Sequence, residues 1–256
     1  MTAPSSSTVT VVVLYPDLLG TYGDGGNAIV LARRLAWRGH EVEVVEVPGG
    51  DPVPDSGHLY LLGGGEDAPQ VEAARELNAG GAVHRAVERG AAVLGVCAGM
   101  QILGNRFPGS DGRTHDGLGL LDVDTVTTDR PRAVGELVAR PDDRWGLPEL
   151  TGFENHAGRT RVGPDAAPLA TVEVGEGNGW GVEGAVAGKV LGTYLHGPAL
   201  ARNPALADLL LGWATGVELA PLDDHEVDAL RHERLRAARE RELQPRRSWK
   251  DVLRRG

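Results

Sequence analysis

Cysteine is nearly absent from this chain: Cys97 is the only one in 256 residues. An intramolecular disulfide is therefore excluded, no cysteine spacing exists for a structural metal, and a reducing compartment fits. The N-terminal stretch "MTAPSSSTVTVVVLYP" lacks a basic region, and its apolar run is too short for a signal peptide. No run elsewhere approaches the length needed to cross a bilayer, so a soluble cytoplasmic protein is expected. Positive charge is also in deficit. The net charge of −10 argues against a general nucleic-acid-binding role, which needs a basic surface to neutralise phosphates. The imbalance is local, however: residues 224–256 carry ten Lys/Arg against seven Asp/Glu, a basic tail on an acidic body.

What the chain does contain is an alternation of strand and helix patterns. "TVTVVVLY" (8–15) is a β-branched run of the kind buried on both faces of a sheet. A glycine-rich loop, "LLGTYGDGGN", leads into the helical "AIVLARRLAWRG", closed by Gly39. Strand patterns follow at 41–47, 58–67 and 91–96, with helical stretches at 70–78 and 82–89 between them. This order predicts an α/β fold with a parallel sheet covered on both faces. After residue 118 the segments become short strands parted by Gly, Pro and Asp, read as an antiparallel extension plus returning strands of the same sheet. "GEGNGWG" (175–181) reads as a hairpin without chemistry, and residues 203–216 as a closing helix with Pro204 in its first turn. The expected organisation is one domain over 8–216 and a charged, mostly helical tail over 217–256, broken near Pro245.

The lone cysteine sits in "GVCAG", at a strand-to-helix transition. G-x-nucleophile-x-G is the nucleophile-elbow pattern, whose tight turn needs small neighbours and lifts the side chain above the sheet edge. The start of the following helix favours a thiolate there, and the Ala98 amide is available as an oxyanion donor. Burial as ordinary core filling is the competing reading of any free cysteine. Two distant segments favour chemistry. Gly63, Gly64 and Gly65 end an earlier strand, where bare amides lie at the carboxyl edge as a second oxyanion donor. His196, in "GTYLHGP", ends a late apolar strand and is the leading base and acid for a cysteine nucleophile.

Together these residues resemble the class I glutamine amidotransferases, over roughly residues 8–216. Within that family, "YGDGGN" (22–27), "GGGED" (63–67), "CAGMQILG" (97–104), "GFENHAGRT" (152–160) and "GTYLHGP" (192–198) resemble the cobyric-acid-synthase-like branch. More narrowly they resemble the glutaminase subunits of lipid II isoglutaminyl synthases. The resemblance implies a flavodoxin-like, mostly parallel sheet and glutamine hydrolysis through a Cys97 thioester, with His196 as acid and base. Many family members carry a glutamate two residues after the histidine. Here that position is Pro198, so Asp24 of "YGDGGN" is the candidate orienter, its competing role that of a turn aspartate. For glutamine binding the resemblance implies Arg132, with Arg130 in reserve, together with Gln101, Asn155 and His156.

Ammonia is useful only beside an activated acceptor, and no G-x-x-x-x-G-K-[ST] loop occurs here. No cofactor is therefore expected on this chain. The resemblance implies that ATP and magnesium belong to a partner, a Mur-ligase-like synthetase of the MurT type, in a heterodimer expected to amidate the second-position D-glutamate of lipid II at the inner membrane face. Three alternatives stand: a corrinoid or other acceptor, hydrolysis of a different amide by the same cysteine, and a non-catalytic binding module. The basic tail is expected to be a solvated helix face or a partner or lipid contact, and truncation after Leu222 is expected to weaken the complex but spare the core fold.

Overall fold

A computed structural model describes residues 8–20 and 23–243. The first half alternates strictly: β1 (Val9–Leu14), α1 (Gly26–Trp37), β2 (Val42–Val47), β3 (Leu59–Leu62), α2 (Asp67–Gly80), α3 (Ala82–Glu88), β4 (Ala92–Val96) and α4 (Ala98–Leu103). The second half runs β5 (Arg106–Pro108), β6 (Thr114–Asp116), β7 (Val123–Val126), β8 (Ala133–Pro141), β9 (Leu150–His156), β10 (Arg159–Val162), β11 (Ala170–Val174), β12 (Val182–Glu183), β13 (Ala185–Ala187) and β14 (Val190–Thr193). Three helices close it: α5 (Ala199–Arg202), α6 (Pro204–Thr215) and α7 (His225–Leu243).

The central sheet has the order β13-β14-β4-β3-β1-β2. Every pairing is parallel except the antiparallel edge hairpin β13–β14. Without that edge strand the order is the flavodoxin-like one, in which the connections reverse direction between β1 and β3. The apolar runs explain the interior strands: β3 and β4 are buried at every position, and β1 at all but Thr10. Such continuous burial requires helices on both faces, which the crossovers supply. β2 buries only Val47 and takes the edge. Helix α2 starts at Asp67, three residues before the expected stretch. The closing helix matches its expectation, with Pro204 at its first position.

The expectation that residues beyond 118 all extend one sheet is corrected. Of the strands beyond residue 118 only β13 and β14 join the central sheet, while the others, with the earlier β5 and β6, build two four-stranded sheets, β10-β7-β5-β6 and β12-β11-β8-β9. The reason lies in their side chains. β7 alternates buried and half-buried positions, and β11 exposes its middle residues, so neither suits a doubly covered interior. The hairpin at 175–181 joins β11 to β12 as expected. Helix α7 is charged, yet it buries Leu235 and Ala238 against Val138 and Val174 of the third sheet. Arg231 donates to the Glu149 carbonyl at 3.0 Å, and Arg239 pairs with Glu149 and Glu173. Tyr22 of the first glycine-rich motif and the expected break near Pro245 lie outside the described residues.

Candidate active site

Cys97 occupies the turn between β4 and α4 with φ 53° and ψ −105°, one of two non-glycine residues at positive φ among those described. That backbone is costly for an L-residue and persists only where its surroundings enforce it. The two glycines of "GVCAG" explain the enforcement. A Cβ on Gly95 would lie 2.7 Å from the Gly99 carbonyl carbon, and one on Gly99 would lie 2.4 Å from the Leu62 carbonyl oxygen. Strand and helix can meet this closely only without side chains there. The Cys97 amide donates to Thr193 O at 2.8 Å, and the Gly99 amide to Gly63 O at 3.1 Å, which ties the turn to β14 and β3. Cys97 is buried but not sealed, at 8% exposure.

His196 follows β14 and meets Cys97 from the neighbouring strand end. Its main chain pairs with Phe153 of β9 in both directions, N to O at 2.8 Å and O to N at 3.3 Å. The "GFENHAGRT" segment thus holds the histidine's backbone in place. The His196 Nδ1–H donates to the Asp24 carboxylate, 3.0 Å from Oδ2 and 3.2 Å from Oδ1, which points Nε2 away from the aspartate. A side-chain hydrogen bond joins the imidazole to Cys97. Burial by itself pushes the imidazole pKa down. The hydrogen bonds to Asp24 and Cys97, together with their negative charge, outweigh it and hold the pKa at about 10. Pro198 packs its ring over Gly26 at the start of α1, where a Cβ would come within 2.4 Å. The carboxylate beside the imidazole therefore comes from the loop after β1.

The glycine triplet serves these side chains as space. A Cβ on Gly64 would lie 2.7 Å from His196 Cε1, 3.0 Å from Asp24 Oδ2 and 3.6 Å from Cys97 Cβ. Its amide is already engaged, donating to Asp24 Oδ2 at 2.8 Å, so the expected Gly64 oxyanion donor is instead an anchor for the carboxylate. Gly63 has Leu19 O where its Cβ would be, at 2.0 Å, and its carbonyl takes the Gly99 amide. Of the three, only Gly65 lines the cavity, together with Cys97 and Ala98.

That cavity has a volume of about 280 Å³ and collects Gln101, Arg132, Asn155 and His156 around the sulfur. Arg132 Nε donates to Asn155 Oδ1 at 2.6 Å. Among the described residues it has no carboxylate partner. Arg130 instead donates to Gly179 O at 2.7 Å, and of the two arginines only Arg132 lines the cavity. Gln101 accepts from Gln70 Nε2 at 2.9 Å and donates to the Tyr194 hydroxyl at 3.1 Å. Gln70, Asp67 and Thr127 also line the cavity and were not singled out in the sequence. Gln70 was discoverable: it falls on the buried face of α2 with Ala73, Ala74 and Leu77, a polar residue at a core position. A larger cavity of about 510 Å³ opens around Tyr15, Glu76 and Arg85, but none of Cys97, His196 or Asp24 lines it.

Asp24 follows β1, the glycine triplet β3, Cys97 β4 and His196 β14. All four lie at the carboxyl edge of the parallel sheet, where ligands of such folds bind. Comparison with known proteins agrees with this geometry. Residues 10–204 match the model of the CobB/CobQ-like glutamine amidotransferase domain. The chain is 35% identical over 224 residues to the GatD subunit of lipid II isoglutaminyl synthase (glutamine-hydrolyzing) of Staphylococcus aureus (strain N315), covering 86% of this chain and 90% of the relative. The GatD subunit of Streptococcus pneumoniae (strain ATCC BAA-255 / R6) is 33% identical, covering 78% of this chain and 77% of the relative. A cobyric acid synthase of Brucella anthropi is 38% identical, over 61% of this chain and 32% of its own length. A crystal structure of a glutamine amidotransferase superposes with a TM-score of 0.56 at 25% identity, covering 81% of this chain and 99% of that one. The chain belongs to the CobB/CobQ-like family of glutamine amidotransferases.

Proposed function

We propose that this protein is the glutaminase subunit of a two-chain lipid II isoglutaminyl synthase. The observation that carries the chemistry is the convergence of Cys97, His196 and Asp24 beside a cavity whose charged lining residues are Arg132 and Asp67. Free glutamine is a zwitterion, and one basic and one acidic group suit its α-carboxylate and α-ammonium. The Cys97 thiolate attacks the side-chain carboxamide carbon, with the amides of Ala98 and Gly65 facing the developing oxyanion. The carbon–nitrogen bond breaks as the His196 imidazolium gives its proton to the departing ammonia, leaving a thioester. Water then adds to the thioester carbonyl as His196 takes its proton, the carbon–sulfur bond breaks, and glutamate leaves with the thiolate and imidazolium restored. Asp24 holds the imidazole in one tautomer and balances its charge.

The acceptor half of the proposal rests on the two GatD relatives, which match over most of both chains. The cobyric acid synthase reading is weaker, because this chain matches only about a third of that relative's length. ATP and magnesium act on the partner, a Mur-ligase-like synthetase of the MurT type, since this chain carries no P-loop sequence. The partner activates the second-position D-glutamate of lipid II, and ammonia converts it to D-isoglutamine. No described helix is long and apolar enough to cross a membrane, so work at the inner membrane face would come through the partner and its lipid substrate.

The test is reaction with 6-diazo-5-oxo-norleucine followed by mass analysis, and glutamine-dependent amidation of lipid II in the presence of the synthetase. One adduct on Cys97, absent in Cys97→Ala, together with amidated lipid II is the expected result. Glutamate release unaffected by Cys97→Ala would overturn the chemistry, and lipid II left unamidated would overturn the acceptor.

A further inference from the structure

Arg159 binds together two loops that reach the cavity from different strands. At 1% exposure it is the largest fully buried side chain among the described residues. Its Nη1 donates to Ala157 O at 3.0 Å and Gly158 O at 3.2 Å, and its Nη2 to Pro131 O at 3.0 Å. Ala157 and Gly158 line the cavity, and Pro131 immediately precedes Arg132. A buried guanidinium is costly unless its donors are used, and a carboxylate is its usual partner. Here the carboxylate in range, Glu176, stands 3.7 Å away with 45% exposure, and the close bonds go to backbone carbonyls.

The hairpin at 175–181 completes this frame. Gly179 lies on the stem of Arg159, where a Cβ would come within 2.2 Å of Cδ. Glu154, also buried, accepts from the amides of Glu176 and Gly177 at 2.8 and 2.9 Å and from His156 Nε2 at 3.3 Å. The other ring nitrogen of His156 lies 3.0 Å from Gly158 O, so the imidazole spans from this carboxylate to the carbonyl that Arg159 also holds. His156 in turn stacks on Tyr194 at 3.8 Å between centroids. The backbone of the two cavity loops is thus fixed by a buried framework of Arg159, Glu154 and His156, of which only His156 itself lines the cavity.

We propose that Arg159 is a positioning residue for glutamine. By clamping the loop before Arg132 to the 155–158 loop, it sets the spacing of the groups that receive the amino acid, and so governs affinity while leaving the thiol chemistry alone. This rests on the glutaminase reading above. The test compares Arg159→Lys and Arg159→Met with the wild type. Cys97 is labelled by diazo-oxo-norleucine, which must fill the glutamine pocket, and by iodoacetamide, which need not.

The expected result in both variants is a rise of about tenfold or more in the half-saturating concentration of diazo-oxo-norleucine, the scale of lost charge-assisted hydrogen bonds. KM for glutamine should rise in parallel, with kcat and the iodoacetamide rate within about threefold of wild type. Unchanged half-saturation in Arg159→Lys would overturn the proposal. So would a joint fall of both labelling rates, or failure of both variants to fold, since either marks a merely structural residue. If Arg159→Met alone fails to fold, Arg159→Lys decides. A wild-type protein that diazo-oxo-norleucine does not label saturably would instead sink the glutaminase reading itself.

Discussion

Asp24 holds the site's electrostatics, although its place in the chain offers little hint of it. An aspartate among glycines in a loop after the first strand is ordinary turn chemistry in a sequence. Only the sheet order brings that loop beside β3 and β4, so the bond to His196 crosses 172 residues of chain. Replacement by asparagine keeps the shape and removes the charge, and glutamine turnover should fall by about a hundredfold or more. A second readout follows from the imidazole, whose pKa is lifted from 6.5 to about 10. Below about pH 6.5 the ring is protonated in both folded and unfolded chains, so the pair stabilises the fold in full. The contribution is lost as pH climbs through about 10. The gap in Tm between wild type and Asp24→Asn should therefore be widest near pH 6 and narrow steadily towards pH 10. A gap that widens with pH would mean that His196 is buried neutral.

At the level of elements, the parallel strands were readable because β3 and β4 are short apolar runs, β1 is nearly one, and β2 is a valine-rich edge segment. All four fall within a few residues of their expected positions. The second and third sheets were not readable as separate units. Most of their strands are short, the longer β8 and β9 excepted, and nothing local says which partner each will pair with. This matters for the site, because the third sheet supplies Phe153, which pairs with the backbone of His196. Cys97 and His196 could be singled out from their flanking motifs, whereas Asp67 and Gln70 enter through a helix whose role depends on tertiary packing. The glycine triplet is the sharpest element-level test. In Gly64→Ala the new methyl would intrude on His196 and Asp24 at once. Turnover should drop about a hundredfold, the scale of an ångström of misplacement, while circular dichroism at 25 °C stays native. Full activity in that variant would contradict the close approach.

Across the whole molecule, opposite charges join the tail to the body. Arg239 pairs with Glu149 and Glu173, and Asp224 pairs with Arg34 at 2.7 Å in a cluster that also holds Asp208, while Arg231 adds a hydrogen bond to the Glu149 backbone carbonyl. The expectation of a removable tail changes accordingly. Truncation after Leu222 strips the cover from Val138 and Val174 and leaves buried Arg34 with one carboxylate fewer. A fully buried leucine is worth about 2 kcal/mol, so with the ion pairs Tm should fall by several degrees in differential scanning calorimetry. A truncated chain melting with the intact one would show the helix to be a passenger. The α7 contacts could not be foreseen, since the helix is mostly charged and offers only Leu235 and Ala238 at the right turn.

The backbone angles of Cys97 carry a last consequence. At φ 53° and ψ −105° any side chain is under tension, and only glycine sits there at ease. Replacing the whole side chain by a hydrogen should therefore yield a tougher protein than replacing it by a methyl, with Cys97→Gly melting above Cys97→Ala despite glycine's usual entropic handicap. Reactivity and ruggedness are in conflict at this one turn, and the native chain has kept the reactive residue.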